Sequence, residues 1–238
     1  MSDDLISTVR RRYLGNEISA NLVRTRVSMQ IIPAADSIFY VKELLLKELC
    51  QTIIANYERD TSRHPGCVIR GRGEKELQDE IKVSTDLVIS QDGAWAAAFG
   101  ELNRAVNNAL QQITAQTPSL QIWPLWWTGY KIQYYKKNEG HFKWHFDAIG
   151  PGTWERQLAM VIYLNSVEDG GETCFHRQNL EVKPIAGDAV MFPTFWTHAH
   201  CGQIPRSEDK YIISSFVSFD IPAADQKVGR RELMAEAV

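Results

Sequence analysis

Seven short β-rich runs lie between residues 130 and 219, and they constrain the fold of this 238-residue chain more than any other feature. Glycine-containing turn signals separate them, among them GPG, EDGG and AGD. Many short strands with such spacing are typical of an antiparallel barrel or a double-sheet roll. The predicted strands are 130–135, 142–147, 157–164, 172–176, 180–185, 188–193 and 211–219.

The first half of the chain has a different pattern. Residues 41–57 and 92–115 carry apolar side chains at helical spacing among strong helix formers. We therefore predict an α+β chain in one composite domain. It has a helical N-terminal region at 1–120, a β core at 121–222 and a helical tail at 223–238.

Charge and hydropathy exclude some classes of partner. The net charge of −3 argues against a nucleic-acid groove as the main feature, because such proteins usually carry a basic excess. No run approaches the roughly 20 apolar residues that a membrane span needs, and the first residues lack the apolar part of a signal peptide. Four widely spaced cysteines without a CxxC pair are typical of reduced thiols. These features predict a cytoplasmic protein with no membrane or nucleic-acid partner, and they leave the oligomeric state open.

Two histidines and an aspartate form the most informative pattern. His145 and Asp147 are two residues apart in a predicted strand, so both side chains would point to one face. Alone this pair is a weak signal, but His198 and His200 follow in a distant segment. Either histidine would complete a set of two histidines and one carboxylate. Non-haem Fe(II) oxygenases use this set and leave coordination positions open, whereas structural zinc sites usually have four protein ligands.

A buried cation is the second requirement of an oxygenase that uses a dicarboxylate cosubstrate. Lys210 lies ten residues after His200 and opens the strongly β-like run at 211–219. Its ammonium could hold the far carboxylate through charge-assisted hydrogen bonds. The hydroxyl of Tyr163 could donate to the same carboxylate.

The ordered string HFD, GGET, GDAVMFP, H and K resembles the iron(II)/2-oxoglutarate-dependent dioxygenases, in particular the prolyl-4-hydroxylase-like branch. The resemblance covers residues 130–220. It implies a double-stranded β-helix (jelly-roll) core with an N-terminal helical layer packed on the major sheet. It also implies Fe(II), 2-oxoglutarate and O2 as cofactor and cosubstrates, with ascorbate as a candidate stimulant.

The resemblance also implies roles for individual residues. His145, Asp147 and His200 would bind iron; the lysine ten residues after the second histidine selects His200 over His198. No catalytic side chain beyond these metal ligands is implied. The cosubstrate pocket would contain Lys210, Tyr163, Tyr135, Thr173, Val161 and Ala159.

The implied reaction is hydroxylation of an unactivated C–H bond, with conversion of 2-oxoglutarate and O2 to succinate and CO2. The substrate would be a prolyl or peptidyl residue, or a small metabolite such as an amino acid. Arg156, Trp154 and Trp127 are the candidate substrate contacts, and the tryptophan-rich segment 123–127 is either a lid or packing. Two alternatives are a metal-binding barrel without oxidative activity, such as a sensor or zinc protein, and a nucleic-acid demethylase. Relatives of the demethylase class usually carry arginine in place of Lys210.

Overall fold

The computed structural model describes residues 29–69, 75–122, 124–150 and 152–219. These residues form two α-helices, α1 (Lys47–Arg59) and α2 (Ala96–Gln116), and sixteen strands. The strands are β1 (Gln30–Ala35), β2 (Ile38–Lys42), β3 (His64–Pro65), β4 (Val68–Ile69), β5 (Lys75–Glu76), β6 (Lys82–Val83), β7 (Thr85–Val88), β8 (Leu125–Trp127), β9 (Lys131–Tyr135), β10 (His141–His145), β11 (Arg156–Tyr163), β12 (Thr173–Phe175), β13 (Leu180–Val182), β14 (Ala189–Pro193), β15 (His200–Gly202) and β16 (Lys210–Phe219).

Two antiparallel sheets form the body of the protein. The larger has the order β1-β2-β14-β11-β16-β9-β7-β3, with β8 also paired to β16. The smaller has the order β13-β12-β15-β10-β6, and β4 and β5 form a separate pair. Strands distant in sequence are neighbours in both sheets, so long-range pairing organises the fold. The predicted antiparallel double-sheet core is confirmed.

Strand β11 shows how the layers divide, because alternate side chains of a strand point to opposite faces. Leu158, Met160 and Ile162 belong to a buried cluster that includes the inner faces of α1 and α2. Ala159 and Tyr163 belong to a second cluster, which includes buried side chains of the smaller sheet. The helices therefore cover one face of the larger sheet, and the smaller sheet covers the other.

The AGD turn signal lies where the larger sheet meets the segment before α1. Gly187 has φ +90°, and a Cβ atom there would lie 2.4 Å from the carbonyl oxygen of Leu45. The backbone N–H of Leu45 donates to the Gly187 carbonyl at 2.9 Å. Glycine is needed here both for the positive φ and for the close approach of the two backbones.

The first half of the chain departs from the helical prediction. The two predicted helices are present, but residues 30–88 also contribute seven strands. Residues 1–28 and the predicted tail at 223–238 lie outside the described residues, so the helical N-terminal region as a whole and the boundaries at 120 and 222 stay predictions. Within the described ranges, neither helix is long and apolar enough to cross a membrane.

Candidate metal centre

Three metal-ligating side chains meet where β10 and β15 pair. His145, the last residue of β10, lies directly opposite His200, the first residue of β15. Asp147 Oδ1 lies 3.9 Å from His145 Nε2, and Asp147 Oδ2 lies 3.7 Å from His200 Nε2. One ligand atom from each residue lies within 4.8 Å of the other two. The two histidines and the carboxylate of the sequence pattern thus form one cluster.

Asp147 reaches this cluster in a different way from the one predicted. The sequence predicted a strand through residue 147, but β10 ends at His145. Beyond that end, the backbone N–H groups of Asp147 and Ala148 both donate to the carbonyl of Thr194, at 3.0 and 3.1 Å. This contact with the residue that follows β14 holds the carboxylate beside the two imidazoles.

The tautomers of the two histidines suit a divalent metal. His145 Nδ1 lies 2.8 Å from the Lys143 carbonyl, and His200 Nδ1 lies 3.1 Å from the His198 carbonyl. A carbonyl oxygen only accepts, so each Nδ1 carries the proton and each Nε2 keeps its lone pair. Burial holds the pKa of His145 well below its usual range, and the nearby His200 lowers it further. Burial raises the pKa of Asp147, and a dication facing that carboxylate would favour its charged form.

His198 lies apart from the cluster, although it is only two residues from His200. Its Nε2 lies 2.7 Å from the Asp36 carbonyl, and its Nδ1 lies 3.0 Å from Thr197 Oγ1. Both ring nitrogens are therefore engaged elsewhere. The choice of His200 over His198, which rested on the resemblance, agrees with this geometry.

A cavity of about 420 Å³ opens over the cluster, between the two sheets. Hydrophobic and aromatic side chains make up much of its wall, with a few polar groups among them, as is usual for small-molecule sites. The predicted residues that line it are His145, Asp147, His200, Lys210, Tyr135, Val161, Ala159, Thr173 and Arg156.

Lys210 places a cation inside this cavity. Lys210 is 2% exposed, and its Nζ donates to the Gly171 carbonyl at 2.6 Å. The ammonium lies 5.6 Å from the ring centroid of Tyr135 and 5.8 Å from that of Tyr163. Burial lowers the pKa of Lys210 to about 8, against the opposing effect of Glu172. A carboxylate partner would favour the charged ammonium.

The hydroxyl groups of Tyr163 and Thr173 form a hydrogen bond with each other. Tyr163 is fully buried and does not line the cavity, and its hydroxyl donates to Thr173 Oγ1 at 2.9 Å. Burial raises the pKa of Tyr163. Thr173 lies at the cavity wall, so the phenol orients the threonine hydroxyl.

Only one of the three candidate substrate residues lines the cavity. Arg156 lines the cavity, with its guanidinium carbon 3.8 Å from the ring centroid of Phe216. Trp154 is 58% exposed and does not line the cavity. Trp127 also lies away from it: the indole packs against the helix-side core cluster and its Nε1 donates to Asn107 Oδ1 at 2.9 Å. The packing interpretation therefore fits Trp127, while Trp123 lies outside the described residues.

The sequence reasoning missed a polar group in the same cavity, formed by Lys82, Asp86, Lys131 and Gln133. Lys82 and Lys131 each place Nζ 2.9 Å from Asp86 Oδ2. One signal was available in the run YKIQYY, where lysine, glutamine and tyrosine occupy alternate positions of a predicted strand. Alternate positions share a face, so this pattern indicates a polar stripe facing inward.

Comparison with known proteins agrees with this geometry. The family model described as the 2OG-Fe(II) oxygenase superfamily matches residues 130–218, which include all three cluster residues and Lys210. The match shows that this segment is similar to the 2OG-Fe(II) oxygenases. This family uses Fe(II), 2-oxoglutarate and O2, and its enzymes are 2-oxoglutarate-dependent dioxygenases. No curated protein matches the chain.

Solved structures of prolyl hydroxylases share the fold of this chain. The viral collagen prolyl hydroxylase of Paramecium bursaria Chlorella virus-1, in complex with 2-oxoglutarate, is 15% identical, with a TM-score of 0.58 over 78% of this chain and 97% of that one. A Pseudomonas putida prolyl-4-hydroxylase is 17% identical, with a TM-score of 0.59 over 79% and 96%. A Trichoplax adhaerens prolyl hydroxylase, in complex with a hypoxia inducible factor peptide fragment, is 16% identical, with a TM-score of 0.65 over 79% and 86%.

Proposed function

We propose that this oxygenase hydroxylates an unactivated C–H bond in a prolyl or peptidyl residue, or in a small metabolite such as an amino acid. One observation carries the proposal. The cluster of His145, Asp147 and His200 opens into the same cavity as the buried ammonium of Lys210. A metal ligand set and a carboxylate-binding cation are the two parts that a 2-oxoglutarate-dependent hydroxylase requires.

In this proposal His145 and His200 donate Nε2 lone pairs to Fe(II), and Asp147 supplies the negative ligand. Bound Fe(II) supplies the O2 chemistry that converts 2-oxoglutarate to succinate and CO2 and delivers one oxygen atom to the substrate. The carbonyls of Lys143 and His198 hold the two imidazoles in the tautomer that metal binding needs.

Lys210 would bind the far carboxylate of 2-oxoglutarate in an environment from which water is excluded. Tyr135 would contribute a second donor, because it lines the cavity and lies directly opposite Lys210 in the β9–β16 ladder. Thr173, oriented by Tyr163, offers a third donor. Val161 and Ala159 form the apolar wall beside the carbon chain.

Arg156 is the best-placed contact for the reacting substrate. Its guanidinium stacks on Phe216, which leaves the edge donors of the group available to a substrate acceptor. The proline-containing substrates suggested by the names of the similar structures are the first to test, with free amino acids second.

The test combines two products of one reaction. The protein is incubated aerobically with Fe(II), ascorbate, 2-oxoglutarate and panels of proline-containing peptides and amino acids. We expect succinate formation that rises with one panel member, together with a product heavier by one oxygen atom. The Asp147→Ala variant is the control and should give neither. Iron binding without any 2-oxoglutarate consumption would contradict the proposal.

A further inference from the structure

A second cationic group lies in the cavity, apart from Lys210, and the proposed function does not use it. Lys82, on β6, and Lys131, on β9, both contact one carboxylate oxygen of Asp86, on β7, at 2.9 Å. The other oxygen of Asp86 accepts from Ser84 Oγ at 2.7 Å. Two ammonium groups therefore share one carboxylate, and the group carries one positive charge in excess.

The amide of Gln133 completes this group. We orient its oxygen toward the two lysines, 3.2 Å from each Nζ, and its nitrogen toward the Tyr135 hydroxyl at 2.9 Å. Lys82 then donates to both Asp86 and Gln133, while Lys131 donates to Gln133 and forms an ion pair with Asp86. Among the described residues we find no acceptor for the remaining N–H donors of either lysine.

The excess charge lies where desolvation is costly. Lys82 is 2% exposed and Asp86 is 1% exposed, while the side chain of Lys131 is one-third exposed. Burial lowers the pKa of Lys82 to about 8, and repulsion from Lys131 adds to this effect. An anion in the cavity would offset this cost, because a buried charge is stable only when it is paired.

The group is also close to the metal cluster. Lys82 Nζ lies 5.3 Å from the ring centroid of Phe142, and that ring stacks on His145 with 3.5 Å between centroids. One aromatic ring therefore separates the second cationic group from a proposed iron ligand. Both groups line the same cavity.

We propose that Lys82 and Lys131 form an anion subsite for a carboxylate of the reacting substrate. The inference rests on the proposed function, since it assigns the substrate of that same site to the carboxylate-bearing class. The carboxylate can belong to a free amino acid or to an acidic side chain of a peptide. In either case it accepts hydrogen bonds from the remaining N–H donors of both lysines, and Asp86 holds the two ammoniums in place.

The test compares acid and amide probes of equal shape. Calorimetry under anaerobic conditions measures the binding of L-proline and L-prolinamide, which differ only in the carboxylate, to protein loaded with Fe(II) and saturating 2-oxoglutarate. A second pair, the capped tripeptides Ala-Glu-Ala and Ala-Gln-Ala, separates the peptide source from the free amino acid. In at least one pair we expect the acid to bind about tenfold more tightly, because charge-assisted hydrogen bonds are stronger than neutral ones.

Lys131→Gln is the main variant, because the partly exposed side chain can be changed with little risk to folding. It should reduce the acid preference to within about twofold and leave the affinity for 2-oxoglutarate unchanged. The matched control is Lys183→Gln, which removes one exposed charge outside the cavity and should keep the full preference.

Three results would overturn the inference: equal binding of acid and amide, no binding of any probe at millimolar concentration, or a Lys131→Gln variant that loses 2-oxoglutarate affinity instead. The last would assign the subsite to the cosubstrate. If Fe(II) and 2-oxoglutarate still bind, only the anion subsite fails. If 2-oxoglutarate does not bind to the iron-loaded protein, the proposed function fails first.

Discussion

Replacing Lys210 with methionine removes the cation that the cosubstrate is proposed to contact, while nearly keeping the side-chain length. A hydrogen bond to a charged group contributes about 1.5–3 kcal/mol. The affinity for 2-oxoglutarate should therefore fall by about 10- to 100-fold. The free energy of unfolding should not fall, because the variant no longer buries an ammonium that donates to a single backbone carbonyl, that of Gly171.

The lowered pKa of Lys210 also predicts how the affinity for 2-oxoglutarate changes with pH. Burial lowers the pKa of Lys210 from 10.5 to about 8, so the free site loses its cation as the pH rises through 8. Affinity for 2-oxoglutarate should fall above that pH, by at most about tenfold per unit. Between about pH 8 and pH 10.5, Lys210 is protonated in the unfolded chain and neutral in the folded one. This lysine therefore makes the free energy of unfolding rise with pH in that range.

The assay is anaerobic calorimetry of 2-oxoglutarate with iron-loaded protein between pH 7 and 9.5, on the wild type and on Lys210→Met. Lys82 also has its pKa lowered to about 8, so only the slope that the variant loses belongs to Lys210. A variant with wild-type affinity and an unchanged pH slope would refute the assignment of Lys210 to the cosubstrate.

Four further substitutions test three separate parts of the account. Asp147→Ala should abolish Fe(II)-dependent binding of 2-oxoglutarate in calorimetry while the far-UV circular dichroism stays the same; retained binding would contradict the ligand role. Trp127→Ala should lower the free energy of unfolding in urea by about 2 kcal/mol with no change in 2-oxoglutarate affinity, whereas the exposed Trp154→Ala should change stability by less than about 0.5 kcal/mol. Equal effects of the two tryptophan variants would disprove the packing interpretation. Gly187→Ala should lower the free energy of unfolding by about 2 kcal/mol, since its Cβ would meet the Leu45 carbonyl at 2.4 Å; an unchanged urea midpoint would refute this.

Local sequence patterns predicted the strands of the core well. Each of the seven predicted runs overlaps an observed strand whose ends agree within three residues. These strands are rich in β-branched and aromatic residues and are bounded by turn signals, so the local pattern agrees with the tertiary environment. The short strand β15, which carries His200, has too few residues to show any such pattern.

Long-range pairing explains what local patterns missed. Strand β2 pairs with β14, and β7 pairs with β9, so their partners lie far along the chain or across α2. Asp147 likewise reaches the metal cluster through contacts with Thr194 rather than through strand alternation. The group around Asp86 forms only when β6, β7 and β9 come together, and none of these strands shows it alone.

Anaerobic titration of Fe(II) and 2-oxoglutarate into the apo protein, followed by visible absorption, tests the central claim most directly. Chelation of the keto acid by iron held by His145, Asp147 and His200 should produce a weak charge-transfer band in the green region of the visible spectrum. The Lys210→Met variant should require more 2-oxoglutarate to give the same absorbance. If iron is bound and no band develops at saturating 2-oxoglutarate, the oxygenase site is wrongly assigned and a metal-binding barrel without oxidative activity is the better description.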